Sequence, residues 1–153
     1  MSKALDFYLD LCSSGAIEKD QNQIDLLTEL VIFLSNSDKN IFSKIFKFSS
    51  QENSLTCFYL HGNVGSGKTL LMDLISKVIL SKKLMRIHFH EFMIKTHNSL
   101  HELRANNYSK DDLISSYAKM TQLETDVIFF DEFQVTNIAD AMILSQLFTE
   151  FFN

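Results

Sequence analysis

Gly62-Asn63-Val64-Gly65-Ser66-Gly67-Lys68-Thr69 decides the reading of this chain, because three of its four glycines fall within six residues there. The stretch has the spacing G-x-x-x-x-G-K-[ST] of a phosphate-binding loop. With average residue usage, that pattern arises by chance in roughly half a per cent of chains this long. Glycine permits positive-φ turns that aim successive backbone N–H groups into one concavity, and a helix starting at the loop adds its positive dipole end. Such a concavity suits a polyphosphate. Lys68 is the candidate point charge for the terminal phosphates, and the Thr69 hydroxyl is a candidate ligand for the Mg²⁺ that accompanies them. Gly62, Asn63, Val64, Gly65, Ser66, Gly67, Lys68, Thr69 and Leu70 form the candidate nucleotide-contacting set.

The flanks set this loop apart from a glycine-rich turn before an ordinary helix. Leu55-Thr56-Cys57-Phe58-Tyr59-Leu60 is a short apolar and aromatic run that reads as a buried parallel strand. Leu70, Leu71, Leu74, Val78 and Ile79 recur at helical spacing and predict an amphipathic helix over 67–81.

Further downstream, Leu84 to His90 reads as a second strand and 91–104 as a helix with Phe92, Ile94, Leu100 and Leu103 as its apolar positions. The stretch 106–125 is polar, with a weak helical pattern around Leu113, Tyr117 and Met120. Val127-Ile128-Phe129-Phe130 is a third strand ending at Asp131-Glu132, and an apolar helical pattern starts near Ile138. The βαβαβ alternation predicts an α/β fold, a parallel sheet with helices on both faces and ligands at the carboxyl ends of the strands.

An apolar strand closing on Asp-Glu, downstream of a phosphate loop, has the form of a Walker B element. Asp131 is then a candidate for the Mg²⁺ shell, and Glu132 for orienting and polarising a water that attacks the γ-phosphate. Lys68 and Glu132 are the candidate catalytic pair. An acid at the second position favours hydrolysis over transfer to an organic acceptor.

Upstream of the loop, 1–54 reads as an N-terminal helical segment and 55–153 as a phosphate-loop domain. The first helix is expected near 3–13 and the second over 21–34, where Ile24, Leu27, Leu30, Val31 and Leu34 share a face, with Gly15 between them. Polar connectors are expected at 35–40 and 49–54, flanking a Phe-rich segment at 41–48.

At 153 residues the chain suffices for one domain with a real core. A net charge of −5 with no Lys/Arg stripe argues against nucleic acid as a main partner. Cys12 and Cys57 make no disulfide framework and read as reduced cytosolic thiols, Cys57 within the buried strand. No run approaches the roughly 20 apolar residues that span a bilayer. The N-terminus, with Asp6 and Asp10 inside its apolar stretch, is unlike a secretory signal, so a cytoplasmic location is expected. His97 and His101 are four apart but lack the glutamate of H-E-x-x-H, so zinc is not expected there. His88 and His90 read as alternate residues of one strand, with packing favoured over a ligand role.

With these motifs placed, the chain resembles the ZapE/Afg-one-like ATPases, a branch of the AAA+ group of P-loop enzymes. The resemblance rests on Tyr59-Leu60-His61 leading into the loop, on Leu71-Met72-Asp73-Leu74 after it, and on Arg86-Ile87-His88-Phe89-His90-Glu91-Phe92-Met93. It extends over Phe130-Asp131-Glu132-Phe133-Gln134-Val135-Thr136-Asn137-Ile138-Ala139-Asp140-Ala141-Met142. Gly15-x-Ile17-x-x-Asp20-x-x-Gln23 also resembles the family's start, with Gln21 standing where a proline is usual.

The resemblance implies Mg²⁺-dependent ATP hydrolysis by a homo-oligomer, with cell-division or membrane-protein clients and no nucleic acid. By analogy it also brings the segment around Ile17 near the adenine. Family members are longer, and in AAA+ folds the strand after Walker B lies between the loop strand and the Walker B strand, with an arginine finger beyond. Neither follows Asn153, so the resemblance implies a C-terminally incomplete AAA+-like domain with reduced or no turnover. Two other readings stand beside it: a small P-loop kinase, and a non-catalytic nucleotide-binding remnant.

Overall fold

The computed structural model describes residues 3–45, 57–63, 65–79, 83–109 and 112–152. The chain divides into two compact units, 1–80 and 81–153. No helix among the described residues is long and apolar enough to cross a membrane.

Unit one holds α1 (Lys3–Ser13), α2 (Gln21–Ile45) and α3 (Lys68–Val78). Helix α1 ends in a Schellman motif: the Gly15 N–H donates to the Cys12 carbonyl and the Ala16 N–H to the Leu11 carbonyl, with Gly15 at φ +73°. Helix α2 starts at Asp20, whose carboxylate accepts the Asn22 N–H at 2.8 Å as an N-cap. Ala4 and Tyr8 of α1, Leu27, Leu30 and Leu34 of α2, and Leu71, Leu74 and Ile75 of α3 are buried. Both N-terminal helices pack against α3.

Two expectations change here. Helix α2 runs through the polar stretch 35–40 expected as a connector. The chain has no proline, and α2 contains no glycine. The Ser35 hydroxyl bonds back to the Val31 carbonyl, so a polar side chain is absorbed without ending the helix. The strand expected at 55–60 is the second change. Residues 55 and 56 lie outside the described residues, and Cys57 to Leu60 carry no ladder. A strand needs a neighbouring backbone, and the described strands pair only with each other. Cys57 is accordingly exposed, not buried.

Unit two holds β1 (Leu84–His88), α4 (Phe89–Ala105), α5 (Leu113–Glu124), β2 (Val127–Asp131) and α6 (Ile138–Phe152), an α/β arrangement. The two strands are parallel, in register from Leu84 opposite Val127 to His88 opposite Asp131. Asp126 sets that register: its carboxylate accepts the Lys83 N–H at 2.8 Å, while its own N–H donates to the Lys83 carbonyl at 2.8 Å.

Met85, Ile87, Ile128 and Phe130 share one sheet face and enter the core formed with Phe92, Leu100, Leu103, Leu113, Tyr117, Leu144 and Leu147. Within this unit the core lies against that one face, although helices were expected on both. The other face carries Arg86, His88 and Asp131. The strand expected to reach His90 stops at His88, and His90 falls in the first turn of α4, so the two histidines do not alternate on one strand. The weak pattern near Leu113 is a full helix that buries Leu113, Tyr117, Ala118 and Thr121 and leaves Met120 exposed. Helix α6 packs on this core: Leu144 and Leu147 are buried, and Ile143, Phe148 and Phe151 lie half-buried against it.

Candidate functional site

In unit one the loop is built around its own lysine. The Lys68 ammonium donates to the Gly62 and Asn63 carbonyls, both at 2.8 Å, and approaches the Ser66 hydroxyl at 3.4 Å. The Ser66 N–H closes a turn on the Asn63 carbonyl at 3.3 Å. Val64 lies outside the described residues. Gly65 and Gly67 sit at φ +82° and +84°, in the left-handed region that a side chain disfavours. Gly67 is also the N-cap of α3, and its carbonyl accepts the Leu71 N–H at 3.0 Å.

Helix α3 starts without a side-chain cap, in contrast to α2 with its Asp20. The leading N–H groups of a helix have no intrahelical acceptor, so at α3 they are open to an anion, with the helix dipole in support. Thr69 is exposed in this first turn, and Leu70 is half-buried behind it.

Residues the sequence did not single out for chemistry brace the loop from behind. Gln23 of α2 donates from Nε2 to the Ser66 carbonyl at 3.3 Å, and its Oε1 accepts the Tyr8 hydroxyl at 3.0 Å. An open cleft beside the loop is lined by Ile17, Glu18, Asp20, Gln23, Gly65, Gly67 and Leu70, among others. The motif Gly15-x-Ile17-x-x-Asp20-x-x-Gln23 thus has four local roles: helix stop, cleft wall, helix start and loop brace.

In unit two the strand tip carries the acidic pair. Asp131 is half-buried, and its Oδ2 accepts the Arg86 Nε–H at 2.9 Å from the neighbouring strand. Glu132 is exposed at φ +52°, a left-handed conformation uncommon for a residue with a side chain. This turn lies between two half-buried rings that pack against the core: Phe130 on one side, and Phe133 on the other, its ring centroid 4.7 Å from that of Phe89 at a tilt of 59°. Strain held in place by packing on both sides is characteristic of functional positions. The spacing alone gives no signal for it.

His97, considered above as a metal ligand, has its Nε2 2.7 Å from Asp140 Oδ1. Among the described residues no cluster of three or more His, Cys, Asp or Glu side chains is arranged to hold a metal. Thr69 in unit one and Asp131 in unit two each carry a hard oxygen of the type Mg²⁺ takes.

The profile of the AFG1-like ATPases matches residues 4–153. Lactation elevated protein 1 homolog B of Danio rerio is 41% identical over 111 residues, which are 68% of this chain and 22% of that protein. The cell division protein ZapE of Escherichia coli is 40% identical over 94 residues, 61% of this chain and 24% of its own length. An uncharacterised protein of Schizosaccharomyces pombe is 44% identical over 92 residues, 59% of this chain and 20% of that one. The matches therefore cover less than a quarter of the length of these relatives. No solved structure matches. With a profile match running from residue 4 to the last residue, this chain belongs to the AFG1-like ATPase family.

Proposed function

We propose that the chain carries the ATP-binding machinery of a Mg²⁺-dependent ATPase with the AAA+ form of the P-loop fold. The observation that supports this most is the uncapped N-terminus of α3 behind a loop whose Lys68 ammonium lies against Gly62, Asn63 and Ser66. In this reading the N–H groups of Gly65 to Leu70 bind the phosphates, and Lys68 exchanges its loop carbonyls for phosphate oxygens. Ile17 and Leu70 offer apolar surface beside the loop for the purine base.

When bound, Mg²⁺ neutralises charge on the phosphates, and Thr69 and Asp131 are the residues that would hold it. Glu132 orients the attacking water and takes up its proton as the bond to the γ-phosphorus forms and the ADP oxygen leaves. The expected setting is a homo-oligomer acting on a protein client in the cytoplasm. The name of the bacterial relative points to cell division, and the acidic charge of −5 disfavours nucleic acid as that client.

The test is phosphate release from ATP by the full-length protein, with product analysis. ADP and inorganic phosphate in equal amounts, only with Mg²⁺ present, are expected. Phosphate appearing on an organic acceptor would replace hydrolysis with transfer.

A further inference from the structure

We infer that Gln23 is a positioning residue of the phosphate loop: its side-chain amide, set by Tyr8, holds the Ser66–Gly67 peptide so that the Gly67 N–H is presented to phosphate. The inference rests on the loop being the ATP site, and adds to it a part played by the N-terminal helices.

The chain of contacts starts in the core of unit one. Tyr8 is fully buried, and its hydroxyl accepts the Asp20 N–H at 3.0 Å. A tyrosine hydroxyl has one proton to give; of the two acceptors in reach, Gln23 Oε1 at 3.0 Å is closer than the Asp20 carbonyl at 3.4 Å, so the proton is assigned to Gln23. That assignment orients the amide. With Oε1 facing Tyr8, Nε2 faces the Ser66 carbonyl at 3.3 Å, and the reverse orientation would set two oxygens against each other.

Fixing the Ser66 carbonyl fixes more than a carbonyl. The peptide is trans, so its C=O and N–H point in opposite directions. Anchoring the oxygen toward α2 therefore aims the Gly67 N–H away from α2, as one of the donors that a phosphate loop directs at its ligand. The fit is close: a Cβ built on Gly67 would lie 2.5 Å from Gln23 Nε2 and 3.1 Å from its Cδ. Gly67 thus satisfies two demands, its φ of +84° and the approach of Gln23.

The test compares Gln23→Glu, which keeps the acceptor for Tyr8 but turns a carboxylate oxygen on the Ser66 carbonyl, with Gln23→Met, which keeps the length and drops both bonds. Affinities for ATP and for inorganic tripolyphosphate, the thermal midpoint, and the tripolyphosphate-induced shift of the Gly67 amide resonance are measured on the full-length protein. Both variants are expected to lose roughly fivefold in affinity for both probes, the worth of one well-placed hydrogen bond. Their midpoints should stay close to wild type, with a smaller Gly67 shift. Wild-type tripolyphosphate affinity in both variants would overturn the inference, as would a loss confined to ATP, which would move Gln23 to the base. An affinity loss that only tracks a fallen midpoint would also overturn it. A wild-type protein that binds neither probe would remove the ATP-site reading itself, and this inference with it.

Discussion

Arg86 reaches from β1 to Asp131 at the tip of β2, Nε to Oδ2 at 2.9 Å, diagonally across the sheet face opposite the core. Both side chains keep some contact with water, at 29% and 22% exposure, so the pair contributes no more than about 1 kcal/mol to stability. Its effect on chemistry is expected to be larger. A guanidinium beside the carboxylate proposed for the Mg²⁺ shell repels a second cation at the same oxygens. Arg86→Gln should therefore lower the Mg²⁺ concentration needed for half-maximal ATP hydrolysis, with a stability change within about 1 kcal/mol. A Mg²⁺ titration of activity checks this, and an unchanged or higher requirement would mean that Arg86 assists the cation.

Lys68 is the charged side chain held against the loop carbonyls. Lys68→Ala removes it while leaving the backbone donors, so the fold should survive and ATP affinity should fall by roughly tenfold or more, as for loss of a charge-assisted bond. Equilibrium binding of a fluorescent ATP analogue is the measurement. Equal affinity in folded wild type and variant would remove the loop from nucleotide binding.

Much of this arrangement was legible in the chain because the deciding signals are local. Glycine spacing marked the loop, the strand ending in Asp131-Glu132 marked the acidic tip, and helical periodicity located α1, α3 and α6. What escaped depends on partners distant in sequence. Gln23 and Ser66 are 43 residues apart, and nothing in either neighbourhood announces their bond. The left-handed turn at Glu132 lies between Phe130 and Phe133, which both pack against the core, an arrangement that a residue pattern does not record. The ladder expected of Cys57 to Leu60 failed for the same reason: an apolar run shows that a strand would be buried, not that a neighbour is there to pair with it.

Tyr8 gives a pH signature. Burial pushes its hydroxyl above the usual value of 10.0, although its bond to the Asp20 backbone pulls the other way. The folded state therefore holds the proton more tightly than the unfolded chain. The corresponding stability is fully present below pH about 10 and is lost as pH rises through the folded-state pKa. Unfolding free energy should fall with a steeper slope in wild type than in Tyr8→Phe across that alkaline window. Denaturant titrations at stepped pH values check it, and parallel slopes would contradict it. The same substitution removes the donor that orients Gln23.

Glu132 allows strain and chemistry to be separated. Its left-handed φ of +52° costs a residue with a side chain on the order of 1–2 kcal/mol, a cost that glycine avoids. Part of the gain from glycine is returned as the larger chain entropy of the unfolded state. Glu132→Gly should thus be as stable as wild type or more stable by up to about 1 kcal/mol, while hydrolysing ATP far more slowly. Glu132→Gln keeps the side chain and the strain, and should retain ATP affinity while its single-turnover hydrolysis falls by roughly 10²-fold or more, because the carboxylate acts on the water rather than on ground-state binding. Paired measurements of unfolding free energy and single-turnover rate on both variants decide the matter. Slow hydrolysis in both, with stability maintained only in the glycine variant or in both, fits a carboxylate held in a strained turn for its chemistry. Full turnover in Glu132→Gln would transfer the water-orienting role to another residue, and a large loss of stability in Glu132→Gly would show that the side chain holds the turn.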